Sequence, residues 1–250
     1  MRRTVLLLLV IALPLHAGEL QQFGKDVKAM AFAPLHWTKA EWARFAEGAG
    51  TVAVLMIADK PVDDFVQRHR SSSTDRLSRI VTPWGGQRAV DLSILMIGSG
   101  LALHDQNLLG AGRDAFESEI WAGTVATPLI KRVGGRARPF LGEGPHSFRP
   151  EQGHRGEYSS FPSGHATNAF TTATAIAEHY DGAVPYIAYA VATAVSYSRV
   201  NDHVHWPSDV VAGALIGRAV AKSVVFHNRR ARVRPVVVSR GAGLLFDYSR

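Results

Sequence analysis

The stretch SRVNDHVHWPSDVVAG (residues 198–213) joins the end of one apolar segment to the start of another. Pro207 suits the first position of a helix, where its missing N–H leaves no bond unmade, so a helix is expected to start there. Asp209 then falls in the first turn and His205 just ahead of it. A carboxylate at this spacing can reach back to the histidine. Taken alone, the pair reads more simply as a local cap beside a surface histidine. Arg199 upstream is what makes a reaction centre worth weighing.

Outward from this stretch the chain reads as helices. Segments 51–58, 89–103, 119–133, 163–180, 184–198 and 208–226 are rich in Ala, Leu, Ile and Val, with Gly, Pro or polar clusters between them. That pattern predicts an all-α bundle of about six or more helices. Thr38 and Glu41, three residues apart ahead of an apolar-periodic run, form a capping-box pattern. Asp91 interrupts 89–103, and Arg218 and Lys222 interrupt 208–226, so no segment is a clean run of about 20 apolar residues. Helices buried in the core of a soluble or peripheral protein are the expected cause of their apolarity. Gly134–Ser160 has no helical or strand period and reads as a long loop, a length often tied to function. The tail RPVVVSRGAGLLFDYSR alternates around a glycine turn, as a short hairpin would. No repeat is visible.

The chain has 250 residues, 46% hydrophobic and 20% charged, which suits one globular domain and excludes disorder. Arg2 and Arg3, the apolar run from Val5 and the small Ala17 form a signal-peptide pattern over Met1–Ala17; an uncleaved anchor is the other reading. Residues 18–250 then form the single domain of an exported, periplasmic protein. The net charge is +7, and loss of the two leader arginines leaves the chain basic. Such a balance fits an anionic partner, whether phosphorylated substrate, membrane surface or nucleic acid. With no cysteine, a thiol nucleophile and a Cys-based zinc site are excluded.

Two further clusters stand out. In FPSGHATNAF, Pro162 again suits a helix start, and Ser163 and Gly164 are small enough for close approach by a ligand. Free N–H groups at a helix start attract anions, although Pro-Ser-Gly is also an ordinary turn. In KRVGGRARPF, Lys131 and Arg138 can aim two cations at one place, or can simply complement the end of a helix. Arginine, here Arg138 and Arg199, binds phosphate oxygens in a fork.

Read together, Lys131-x6-Arg138-Pro139, Pro162-Ser163-Gly164-His165 and Ser198-Arg199-x5-His205-x3-Asp209 match, in order, KxxxxxxRP, PSGH and SRxxxxxHxxxD. This resembles the type 2 phosphatidic acid phosphatase family, which shares its fold and site with bacterial class A acid phosphatases and vanadium haloperoxidases. No signature position is substituted. The motifs span residues 131–209, and residues 18–130 carry none.

The resemblance implies that family's helical bundle and a metal-independent, cofactor-free phosphatase acting on phosphate monoesters or diphosphates. His205 would attack phosphorus and form a phosphohistidine. Asp209 would hold the other ring nitrogen, and His165 would protonate the leaving oxygen and then activate water. Lys131, Arg138, Arg199 and the backbone N–H groups of Ser163 and Gly164 would hold the phosphate oxygens. It also turns the basic charge toward a lipid phosphate, phosphatidic acid or an isoprenoid or glycerophospholipid phosphate, met in peripheral contact with the inner membrane, and away from nucleic acid.

A soluble, broad-specificity periplasmic acid phosphatase is the near alternative. A vanadium haloperoxidase, with His205 as vanadate ligand, and a noncatalytic phosphate-binding module are the others. His203 is left without a role; with His205 it makes an HxH pair, but no third metal ligand stands at a recognisable spacing. Trp206 and Tyr197 are expected to pack, and His146 and His154 to be exposed. Paired histidines predict an activity optimum at mildly acidic to neutral pH.

Overall fold

The structure is a computed structural model that describes residues 33–231, 233–238 and 241–246; the expected leader over Met1–Ala17 lies outside the described residues. Contacts divide the chain into two compact units, Met1–Glu47 and Gly48–Arg250. In the first, the Thr38 backbone N–H donates to Glu41 Oε2 at 2.7 Å and the Glu41 N–H donates to Thr38 Oγ1 at 3.3 Å. The expected capping box thus starts helix α1 (Lys39–Arg68). Trp42 meets Trp37 and Phe45 edge to face there, and Trp37 and Phe45 are tilted against each other.

The second unit is built from helices α2 (Ser72–Val81), α3 (Gln87–Leu103), α4 (Gln106–Glu119), α5 (Thr127–Gly134), α6 (Gly164–His179), α7 (Val184–Asn201) and α8 (Pro207–Ala231). Two helices that are not among the apolar segments, α2 and α4, begin at caps. Ser71 and Thr74 cap each other reciprocally, and Asp105 Oδ1 accepts the N–H groups of Asn107 and Leu108 at 2.9 and 3.0 Å. The expected helix over 119–133 is the second half of one longer rod. A π-helical turn, Ile120–Ala126, joins α4 to α5. Pro128, lacking an N–H, stands at the start of α5, where the ladder changes register. The tail forms the expected hairpin, β1 (Val233–Val238) antiparallel to β2 (Gly241–Phe246), with Val233 opposite Phe246 and Val238 opposite Gly241.

Helix α6 is central, packing against α4, α7 and α8. Its seam with α8 is close because two glycines, one turn apart, face it. A Cβ on Gly213 would lie 2.5 Å from the Ser163 carbonyl oxygen, and one on Gly217 2.3 Å from that of Thr167. Across the seam Thr167 and Thr171 bond back to carbonyls one turn earlier, so their hydroxyls are satisfied without leaving the helix.

Segment 163–180 forms the buried central helix α6, whereas segments 89–103 and 184–198 turn large apolar side chains outward. The interior is lined by small or polar residues, including Ala166, Ala169, Ala173, Ala192, Val195, Thr167 and Thr171. Leu95 and Leu103 of α3 and Tyr186 and Ile187 of α7 are 63–79% exposed. Small residues let backbones approach, which leaves the large apolar side chains facing outward. Among the described residues one helix, Pro207–Arg229, is long and apolar enough to cross a membrane, by length and composition.

Candidate active site

Every candidate site residue lies in the second unit, at the ends of α5, α6, α7 and α8 and in the loop between α5 and α6. Lys131, in the last turn of α5, donates from Nζ to the carbonyl oxygens of Ser159 and, at 3.4 Å, Ser160. Burial, then the neighbouring Arg138 charge, push its pKa down to about 7, against the pull of Asp209. Arg138 straps the loop to the turn before α8. It donates to Gly156 O at 2.7 Å and Val204 O at 2.9 Å, and its Nη1 lies 3.4 Å from His205 Nε2.

Ser163 is the N-cap of α6, accepting the Ala166 N–H at 3.5 Å, and follows a cis Phe161–Pro162 peptide. One expectation is corrected here: the Ser163 N–H does not face an anion. It donates to the Asp209 carbonyl at 2.9 Å, tying the starts of α6 and α8 together. Gly164 is left as the first residue of that helix start. His165 packs on a glycine pair; a Cβ on Gly86 would lie 3.3 Å from its Nε2, and one on Gly85 2.5 Å from its carbonyl oxygen. Burial, followed by the charges of Arg199, Lys131 and Arg138, lowers its pKa to about 4.

Arg199, in the last turn of α7, pairs through Nη2 with Asp202, while its buried Nε has no hydrogen-bond partner. A buried donor of this kind fits an incoming anion. The Arg199 carbonyl accepts the N–H groups of Val204 and His205 at 3.2 and 3.3 Å, which fixes the turn. His205 is 3% exposed, with Nδ1 3.6 Å from Asp209 Oδ2 and no closer partner. That separation is longer than a hydrogen bond, so the attraction is electrostatic. Burial drives the His205 pKa down to about 3; Asp209 opposes this, and Lys131 and Arg138 add to it. At neutral pH the ring is therefore uncharged, with Nε2 toward Arg138 and Nδ1 toward the carboxylate. An uncharged imidazole backed by a carboxylate and flanked by Lys131 and Arg138 can receive an anion and attack it.

Asp209 is fully buried, and its ligands include residues the sequence reading missed. Oδ1 accepts from Arg136 Nη1 at 2.6 Å, and Oδ2 accepts from Ser160 Oγ at 2.5 Å and the Trp206 N–H at 2.8 Å. Arg136 is itself wholly buried and pairs with Asp59 at 2.6 Å. Nothing in the sequence separates Arg136 from its neighbours Arg132, Arg149 and Arg155. The Gly85–Gly86 pair was the one readable signal for the wall behind His165. Trp206 is buried as expected, its indole N–H on the Ala137 carbonyl at 2.9 Å, and His146 and His154 are exposed. His203 does have a partner: its Nδ1 lies 3.2 Å from Asp63 Oδ1. Among the described residues no three His, Asp or Glu side chains are grouped to hold a metal ion.

A family model described as PAP2 superfamily matches residues 117–233. A lipid A 1-phosphatase of Rhizobium etli is 32% identical over 182 residues, covering 65% of this chain and 74% of that protein. One from Rhizobium johnstonii is 40% identical over 111 residues, 42% of this chain and 43% of that one. Among solved structures, LpxE of Aquifex aeolicus aligns with a TM-score of 0.55 at 20% identity, over 68% of this chain and 95% of that one. A transmembrane PAP2-type phosphatidylglycerolphosphate phosphatase from Bacillus subtilis aligns at 0.52 and 22%, over 74% and 94%. These two show the shared fold. The signature, the helical bundle and the matched length agree: the chain belongs to the PAP2 superfamily.

Proposed function

We propose that this PAP2-type phosphatase hydrolyses lipid phosphates through a covalent phosphohistidine on His205. The observation that carries this reading is the state of His205: buried, uncharged, and set between a carboxylate at Nδ1 and a guanidinium at Nε2. Nε2 attacks phosphorus and the P–O bond to the leaving group breaks, with His165 giving that oxygen a proton. Asp209 stabilises the ring as it becomes cationic. His165 then takes a proton from water, whose oxygen displaces the histidine and frees phosphate. Lys131, Arg138, Arg199 and the start of α6 at Gly164 hold the equatorial oxygens throughout.

The lipid assignment rests on the surface. A cavity of about 550 Å³ beside Lys131 is lined by Val125, Pro128, Leu129, Arg132 and His154. Leu129 and Val125 are 62% and 46% exposed, so an acyl chain can lie along α5 while its phosphate reaches Lys131. The relatives' named substrate, the 1-phosphate of lipid A, is the first lipid to try, with phosphatidic acid and isoprenoid phosphates beside it. Export to the periplasmic face of the inner membrane, with residues 18–250 as one phosphatase domain in contact with lipid, completes the reading.

The test compares phosphate release from a lipid phosphate dispersion and from a soluble aryl phosphate, in excess EDTA, for the parent chain and His205→Ala. Release that favours the lipid and disappears in the variant is expected. Activity retained by His205→Ala would overturn the mechanism, and preference for the aryl phosphate would favour a broad-specificity acid phosphatase.

A further inference from the structure

Helix α1 carries two buried aspartates one turn apart, Asp59 and Asp63, outside the three-part signature and outside the matched residues 117–233. Asp59 Oδ2 accepts from Arg136 Nη2 and from Ser208 Oγ, each at 2.6 Å, and Oδ1 accepts the Ser208 N–H at 2.8 Å. Arg136 uses its other nitrogen, Nη1, on Asp209 Oδ1 at 2.6 Å and on Ser208 Oγ at 2.8 Å. The side chains of Asp59, Arg136 and Asp209 are all 0% exposed. They form an unbroken chain of carboxylate, guanidinium and carboxylate, with the rings of Phe148 and Trp206 against the guanidinium.

The charges decide what this chain can do. Arg136 alone beside Asp209 would cancel the negative charge that a cationic His205 needs, and burial magnifies that effect. Asp59 shares Arg136, so the triad keeps one net negative charge and presents it at the His205 end. Its other oxygen takes the Ser208 N–H, an orphan donor of the first turn of α8, and so fixes the turn on which Asp209 stands.

We propose that Asp59 is a positioning residue for the hydrolytic reaction, acting through Arg136 and Ser208 on Asp209. This rests on the assignment of His205 and Asp209 above. Asp59 touches no substrate. Its loss therefore acts on the rate of the covalent step and leaves substrate binding intact.

The test is Asp59→Asn in the full chain, which keeps shape and one acceptor but removes the charge. The expected result is kcat lowered about 10- to 100-fold, the range for groups that orient a directly acting residue, with KM within about threefold. Arg136→Gln and the double variant complete a cycle, and the double variant is expected to be no slower than Arg136→Gln alone. Parental kcat in a folded Asp59→Asn chain, or a loss confined to KM, overturns the proposal. So does a double variant in which the two losses simply multiply. His205→Ala is assayed alongside: if it stays active, the site assignment has failed; if it is inactive while Asp59→Asn is fully active, only this proposal has. Should Asp59→Asn not fold, Ser208→Ala serves instead. It removes one hydrogen bond from each of Asp59 and Arg136 and leaves both ion pairs, and about a threefold fall in kcat at unchanged KM is expected; parental kcat overturns the proposal.

Discussion

His203 Nδ1 lies 3.2 Å from Asp63 Oδ1, so the residue two positions before the proposed nucleophile is gripped by helix α1. Asp59, one turn earlier on that helix, grips Ser208, three positions after the nucleophile. The turn carrying His205 is thus held at both ends by one helix.

Asp209→Asn keeps the shape of the side chain and removes its charge. Loss of the group that orients and stabilises a catalytic histidine costs about 10²- to 10⁴-fold in kcat, by analogy with serine-protease triads. Rapid alkaline quench in denaturant should show an acid-labile, base-stable phosphoenzyme in the parent, slower to form in Asp209→Asn and absent in His205→Ala. An undiminished phosphoenzyme in His205→Ala would place the covalent step elsewhere.

The pH profile should split. His165 must carry a proton to assist departure, and in the free protein its pKa is about 4, while His205, near 3, must be uncharged to attack. The profile of kcat/KM should therefore peak at acidic pH, below the mildly acidic to neutral optimum that ordinary histidines predict. A bound phosphate ester offsets the three cations that depress His165, so the alkaline limb of kcat should lie at higher pH than that of kcat/KM. Lys131, near 7, adds a rise in KM above neutrality as it loses its charge. Superimposable alkaline limbs would count against His165 as the acid.

Glu119 is buried against Ser93 and Thr172, at 3.1 and 2.6 Å, and burial raises its pKa from 4.5 to about 7 despite those bonds. A carboxyl raised in the folded state binds more protons there than in the unfolded chain, so stability falls as pH rises from about 4.5 to 7. Glu119→Gln should therefore raise the melting temperature relative to the parent at pH 8 and change it little at pH 5. Equal effects at both pH values would show that the carboxyl is not neutral in the fold.

Gly213→Ala should be costly out of proportion to one methyl group. Its Cβ would meet the Ser163 carbonyl at 2.5 Å, and overpacking of this kind costs about 1–3 kcal/mol. Because Ser163 is tied to Asp209, kcat should fall as well. Gly134→Ala, where nothing lies within 4 Å of the added carbon, is the control and should match the parent in thermal melts and in rate.

The helical class, the Thr38–Glu41 box, the terminal hairpin and the three clusters were legible because each is carried by local chemistry: caps, proline positions and fixed spacings. Helices α2 and α4 were not, since Ser72–Val81 and Gln106–Glu119 are polar and lean on their caps and on tertiary packing. The partners of Asp209 were illegible for a different reason. Arg136 and Asp59 stand 77 positions apart, and a wholly buried arginine has the same letter as a solvated one. Apolarity itself misled: small residues such as Gly100 of α3 and Ala192 of α7 are buried, while Leu95, Leu101, Leu103 and Ile187 face out.

The seam between α6 and α8 also has a mechanical meaning. With glycine against carbonyl at Gly213 and Gly217, and the Ser163 N–H fastened to the Asp209 carbonyl, neither helix can slide without carrying the other. The base of the pocket behaves as one stiff plate. Compliance for admitting and releasing substrate is then left to the stretch of loop between Arg138 and Gly156, since Arg136 and Ser160 at the ends of the loop are themselves fastened to Asp209.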